Sequence, residues 1–235
     1  KLMIQYENIH KGVFLRRPNR FLAHVVIDGR EVVAHVKNTG RCGELLIPGA
    51  EVWCTYHDDP KRKTQWSLIT VRKGDTLFNI DSQVPNRLAE EWMQQGGLGV
   101  TVEQQKAEHR YGNARLDWYF VAGGRPCLLE VKGVTLEQDG VARFPDAPTE
   151  RGAKHVHHLR QAVGEGYGAY ILFVCQMAGI SRVEPNVERD PAFAQALWMA
   201  QEAGVQLLAV ECDVTSDSIT AARPVPVVLP SQCIN

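Results

Sequence analysis

Through roughly the first 75 residues, apolar positions alternate with polar ones in short runs broken by turn residues. This is the pattern of strands that bury one face. Phe21 to Ile27 and Glu31 to Lys37 flank Asp28-Gly29-Arg30, and an Asp-Gly step between two such runs predicts a tight hairpin. Val13 to Arg17, Glu51 to His57 and Trp66 to Arg72 supply three more strands, with turns at Pro48-Gly49 and Asp58-Asp59-Pro60. Five strands without a helix predict a small barrel or sandwich, of which the oligonucleotide-binding barrel is one form.

The period then changes. Leu88, Trp92 and Met93 form the apolar stripe of a helix over Asn86 to Gln95, stopped by Gly96-Gly97. Ala114 to Val121 and Cys127 to Val134 read as strands joined by the turn Ala122 to Pro126. Thr149 to Val163 has helical spacing, and Ala169 to Gln176 is a continuous apolar run, as expected of a strand buried on both faces. Pro191 to Ala203 is a helix ended by Gly204, and Val205 to Val210 gives a last strand. Strand, strand, helix, strand, helix, strand describes an α/β layer.

Composition narrows the class without naming a function. Hydrophobic residues make up 44% and charged residues 23%, the balance of a folded globular chain. No apolar run is long enough to cross a bilayer as a helix, and Lys1 to Lys11 lacks the apolar core of a signal peptide, so cytoplasm is the expected compartment. None of the six cysteines forms a C-x-x-C pair, which makes them buried, reduced thiols. The net charge of −1 hides an asymmetry: residues 1–75 carry 13 Lys/Arg against 8 Asp/Glu, while the remainder carries 13 against 19. A basic first half suits a polyanion, and an acidic second half tolerates one if divalent cations sit among its carboxylates.

The candidate chemistry lies on the paired strands. Glu130 and Lys132 are two apart on one strand and share a face. If Ala122 to Pro126 closes a hairpin, Asp117 falls opposite this segment and its carboxylate meets that of Glu130. Two carboxylates with waters and phosphate oxygens suffice for Mg2+ or Mn2+, and Lys132 would orient the attacking water or stabilise an oxyanion. A Glu-x-Lys pair on a strand is also an ordinary solvated charge pair, but Cys127-Leu128-Leu129 and Val131 make this strand read as core. Arg16, Arg17, Arg20, Lys37 and Arg41 bracket the hairpin and the Asn38-Thr39-Gly40 loop, where they would neutralise phosphates. Phe14 and Phe21 read as barrel core. Lys61-Arg62-Lys63 reads as an exposed loop. On the Thr149 helix, the spacing of His155, His157 and His158 disfavours zinc. Arg151, Lys154 and His155 are expected to face the substrate phosphate. Asp146 reads as a residue before the helix start or an accessory ligand, and Gly164, Gly166 and Gly168 as a helix stop.

An ordered set of motifs resembles the sugar fermentation stimulation protein A (SfsA) family. It comprises Arg20-Phe21-Leu22-Ala23, Asn38-Thr39-Gly40, Pro48-Gly49, Tyr111-Gly112, Arg115-Leu116-Asp117, Glu130-Val131-Lys132 and the run from Phe144 to His155. The resemblance implies two domains: an N-terminal oligonucleotide-binding (OB-fold-like) barrel over residues 1–80, and over 81–235 an α/β domain similar to the PD-(D/E)XK nucleases, with a mixed sheet flanked by helices. It implies non-specific DNA binding and a regulatory role in sugar (maltose) metabolism. Asp117, Glu130 and Lys132 meet the superfamily pattern, with Leu116 where it has Pro. A further acidic residue on a preceding helix falls at Glu108, with Glu103 as fallback. The readings are a Mg2+- or Mn2+-dependent nuclease on DNA, a non-enzymatic DNA-binding regulator that keeps the nuclease core as scaffold, and an RNA-directed enzyme gripping a single strand.

Overall fold

The computed structural model describes residues 2–231. Strands β1 (Met3–Gln5), β2 (Ile9–Asn19), β3 (Leu22–Ile27), β4 (Arg30–Val36), β5 (Glu51–Tyr56), β6 (Trp66–Lys73) and β7 (Thr76–Asn79) precede the first helix. Strands β2 to β6 close into a barrel, because β4 pairs in parallel with β6 through Ala34, His35 and Val36. Strict alternation drives this: Ala23, Val25 and Ile27 of β3 point inward while their neighbours stay partly exposed. The β3–β4 turn holds Asp28 at φ 50° and Gly29 at φ 75°, the two positive angles that a twist-matched two-residue hairpin needs. Phe14 fills the barrel interior as expected. Phe21 does not: it lies in the β2–β3 turn and is 50% exposed.

The second layer contains α1 (Val84–Gln94), β8 (Glu103–Tyr111), β9 (Ala114–Ala122), β10 (Arg125–Val134), β11 (Leu136–Gln138), β12 (Val141–Phe144), α2 (Glu150–Gly164), β13 (Gly168–Cys175), β14 (Arg182–Pro185), α3 (Pro191–Ala203), β15 (Gln206–Val214) and β16 (Ser218–Val225). Its seven-stranded mixed sheet has the order β1-β16-β15-β13-β10-β9-β8. The central strands β10, β13 and β15 are parallel, and the flanks are antiparallel. Helices α2 and α3 pack on one face and α1 on the other, as two separate apolar clusters show. Continuously apolar β13 is buried between them.

Seven strands differ from the sequence reading: β7 and the small three-stranded sheet β11-β12-β14 have no counterpart in it, and β1, β16 and β8 depart from it as follows. Residues 3–5, grouped above with the barrel, pair with Ser218 to Thr220 of β16 and belong to the large sheet. That sheet continues past β15 into β16. Residues 103–111, where a helix carrying Glu108 was expected, form the edge strand β8.

Barrel and sheet are joined by polar ties and by a shared core. The Asn79 N–H donates to the Gln176 carbonyl (3.0 Å) and Thr70 Oγ1 to the Ser216 carbonyl (3.1 Å). One apolar cluster runs from Phe14 and Val25 in the barrel through Val134 and Phe173 to Phe193 on α3. Each large side chain fully buried there contributes about 1.5–3 kcal/mol, so the barrel is fixed against the site.

Candidate metal centre

The β9–β10 hairpin closes as expected, with Ala122 opposite Arg125 and Trp118 opposite Leu129. Its ladder stops there. The next pair would be Asp117 and Glu130, and the Asp117 side chain fills the gap: its Oδ2 accepts the Val131 N–H at 2.8 Å. Strand alternation reverses at this point, since Leu116 packs with the α2–α3 core and Trp118 with the α1 core. Opposite the reversal, Glu108 has φ +57°. Asp117 therefore lies where the strands part, aimed at β10.

Its second oxygen is held from the other face of the sheet. Asn86 Nδ2 on α1 donates to Asp117 Oδ1 at 3.3 Å, and Trp118 Nε1 donates to Asn86 Oδ1 at 3.1 Å. Sequence reasoning missed Asn86 and Trp118, whose partners are set by tertiary packing across 31 and 32 residues.

Glu130 is 2% exposed. It shares the α2-facing side of β10 with Leu128, which belongs to the α2–α3 core, and this is where Lys132 also points. Its carboxyl reaches that of Asp117, and the consequence is electrostatic. Burial and then the hydrogen-bonded, like-charged Glu130 push the Asp117 carboxyl up to about 7, against the smaller opposing pull of the Val131 N–H and Asn86. His155 on α2 closes the other side, its Nδ1 against Glu130 Oε2. Burial first, then the charges of Lys132 and Arg151, depress this imidazole to about 4, which keeps it neutral near pH 7. Neither Glu130 Oε2 nor His155 Nδ1 completes a hydrogen bond of acceptable geometry. A buried carboxylate oxygen without a donor, pressed against a second carboxylate, is the donor set of a hard divalent cation. Asp117 and Glu130 fit such an ion, with waters and substrate oxygens completing its shell. The Lys132 ammonium forms no ion pair among the described residues.

The other expected site residues divide. Glu108 and Glu103 are exposed on β8, and among the described residues no group of three His, Cys, Asp or Glu side chains assembles as a cation cage. His155 is buried against Glu130 instead of facing solvent, whereas Arg151 and Lys154 are exposed beside it. Arg17 is committed internally. Its guanidinium donates to the carbonyls of Arg20, Asn38, Gly40 and Arg41 at 2.6–2.8 Å, so it holds the 38–41 loop together. Asn38 is also tied, to the Ile80 carbonyl and to the Gly40 N–H. Arg16 pairs with Glu31 at 2.9 Å. Arg20 lies over the exposed Phe21 ring at 5.3 Å, Lys37 is half-buried, and Thr39 and Arg41 are exposed. Asp146 accepts the Arg41 N–H at 3.1 Å, a tie between barrel and sheet, and Thr149 is the residue that caps α2.

Two family models match successive parts of the chain. One described as the SfsA N-terminal OB domain matches residues 15–80, and one described as the sugar fermentation stimulation protein RE domain matches residues 83–218. A sugar fermentation stimulation protein homolog from Desulfitobacterium hafniense is 51% identical over 226 residues, covering 96% of this chain and 99% of that protein. A homolog from Clostridium beijerinckii is 51% identical over 226 residues, covering 96% of this chain and all of its own length. Among solved structures, that of Pyrococcus furiosus SfsA in complex with Ca2+ superposes with a TM-score of 0.85 at 29% identity, covering 96% of this chain and 98% of that one. The chain belongs to the sugar fermentation stimulation protein family.

Proposed function

We propose that this protein is a divalent-metal-dependent phosphodiesterase acting on nucleic acid, with DNA as the expected partner. The observation that supports the reading is the meeting of the Asp117 and Glu130 carboxyls where strands β9 and β10 part, with Lys132 two residues beyond Glu130 on the same face of β10. A Ca2+ complex of the Pyrococcus furiosus relative supports a hard cation in this family. Mg2+ or Mn2+, taken by the same class of oxygen ligands, is the working ion of the proposal. Such an ion, when bound, lowers the pKa of a coordinated water and neutralises charge on the scissile phosphate.

The chain's own residues do the rest. Val131 N–H and Asn86 fix both Asp117 oxygens, so the carboxylate is oriented before any ligand arrives. Glu130 supplies the second carboxylate and is buried too deeply to be displaced by solvent. Lys132 holds the attacking water or the charge that develops on the phosphate oxygens. Arg151 and Lys154 anchor the neighbouring phosphates as charges whose counterions are released on binding. A non-enzymatic DNA-binding regulator built on the same scaffold is the second reading, and the absence of a third carboxylate at the pair among the described residues favours it.

Plasmid, single-stranded DNA and RNA incubated with Mg2+ or Mn2+ separate the two. The proposal expects cleavage by the wild type and losses of at least about a hundredfold for Asp117→Ala and Lys132→Ala, of the size seen when an electrostatic stabiliser is removed. If wild type and both variants were equally inert while DNA still bound, the scaffold reading would stand instead.

A further inference from the structure

A cleft of about 340 Å3 opens between the barrel and the large sheet. Its barrel wall is the loop of Asn38, Thr39 and Gly40, and its opposite wall includes Asn86 and Val131. Those last two residues donate to the two oxygens of Asp117. Whatever enters the cleft therefore lies against the two groups that hold the Asp117 carboxylate, one residue layer from it.

Size and chemistry limit the occupant. The volume is near the lower end for small-ligand pockets, and a duplex whose major groove alone is about 12 Å wide cannot enter. The wall mixes apolar side chains, among them Pro85, Phe144 and Pro148, with neutral polar groups such as the hydroxyls of Thr39 and Ser82. The two charged residues that reach the cleft are already engaged: Asp146 accepts the Arg41 N–H, and Arg143 pairs with Glu184 at 3.6 Å. Neutral donors and acceptors suit the edge of a base and the hydroxyls of a sugar, and suit a phosphate poorly. The cations that suit phosphate, Arg151 and Lys154, stand on the first turns of α2, whose capping residue Thr149 borders the cleft.

The rim is also rigid. Arg17 binds four carbonyls around the loop, Asn38 ties it to Ile80 and Gly40, and Asp146 ties it to the large sheet. A preorganised rim adds affinity because little ordering entropy remains to be lost on binding.

We propose that this cleft holds one unpaired nucleotide of the strand lying across Asp117 and Glu130, so that the substrate class is nucleic acid with an unpaired or extrudable nucleotide. The proposal rests on the phosphodiesterase reading for the placement of that strand. In this account the barrel supplies the wall that selects the nucleotide, beyond any phosphate contacts it makes.

The test uses the full chain with Ca2+, fluorescein-labelled short duplexes and anisotropy, in two forms: fully paired, and carrying a one-nucleotide bulge. Extruding a paired base costs a few kcal/mol that a bulge avoids, so the bulged duplex should bind at least about tenfold more tightly. In the double variant Thr39→Leu/Ser82→Leu, bulk at two exposed cleft positions should erase that preference, while retention of the Ca2+-induced thermal shift confirms folding. Equal affinity for the two duplexes, or a preference that survives in the double variant, would overturn the proposal. Hydrolysis separates this from the broader reading. A bulge preference without cleavage in Mg2+ leaves the cleft standing and removes the nuclease. Cleavage of paired plasmid as fast as bulged substrate keeps the nuclease and removes the cleft.

Discussion

Replacing Asp117 by Asn removes one of two adjacent carboxylates while nearly preserving shape. In the metal-free protein the Asp117 carboxyl is raised from 3.8 to about 7. At 1.36 kcal/mol per pKa unit this corresponds to about 4 kcal/mol of penalty on the charged form, which partial exposure screens to about 2–3 kcal/mol. The sign follows from linkage: a carboxyl whose folded value is raised contributes stability that is fully present below pH 3.8 and is lost as pH rises through about 7. An Asn side chain still accepts the Val131 N–H but gives up the bond from Asn86, a loss of about 1 kcal/mol. At pH 8 and without metal, Asp117→Asn should therefore be more stable than wild type by about 1–2 kcal/mol, or about 2–8 °C in Tm for a chain of this size. At pH 5, where the wild-type carboxyl is mostly protonated, the advantage should vanish or reverse slightly. Ca2+ at a hundred times its Kd should stabilise the wild type by about 2.7 kcal/mol and leave the variant unmoved. Thermal unfolding followed by circular dichroism at both pH values, with and without Ca2+, reads all four states. If Asp117 were only a staple for Val131 and Asn86, the variant would be destabilised equally at pH 5 and pH 8, and that result would refute the electrostatic argument.

Other expectations separate residues by role. Glu108→Gln, on the exposed edge strand, should leave Ca2+ affinity and hydrolysis within about twofold of wild type, because a surface change away from buried features costs under about 0.5 kcal/mol; a large drop in calorimetric Ca2+ affinity would restore it as a ligand. Arg17→Gln should lower stability by about 2–4 kcal/mol in urea titrations by stranding loop carbonyls, yet leave the salt dependence of DNA binding intact. Lys154→Ala should do the reverse, reducing the slope of log affinity against log salt by about 1 at unchanged stability. The depressed imidazole of His155 adds stability that is present above pH 6.5 and lost as pH falls through about 4, so His155→Gln should flatten the acid limb of the stability profile.

Where local pattern and turn chemistry decide structure, the sequence is informative. Pro191 and Gly204 bound α3 as the start and stop signals require, and Asp28-Gly29 sets the barrel hairpin register. The meeting of Asp117 with Glu130 followed from alternation and one turn, because both strands belong to a single hairpin. Non-local pairing was not legible. Met3 to Gln5 and Ser218 to Thr220 meet from opposite ends of the chain, and short β1 has no period to read. Strand β8 is an edge with mostly exposed residues on both faces, so Glu103 to Tyr111 carries no period-2 signal, and only the resemblance put Glu108 on a helix. Residue type misled at Arg17 and Phe21 for a related reason. A guanidinium reads as a phosphate ligand until four carbonyls are seen around it, and a Phe in a strand-like run reads as core until the turn places it outside. Asn86 gave no signal, since its importance lies in a bond to a carboxylate on another element.

Crystals soaked in Mn2+ and measured at a wavelength where manganese scatters anomalously would address the metal centre directly. The account predicts one strong anomalous peak about 2.0–2.3 Å from carboxylate oxygens of both Asp117 and Glu130, absent in Asp117→Asn crystals soaked alike. A map with no peak between these two side chains at saturating Mn2+, or with the ion held elsewhere, would contradict it.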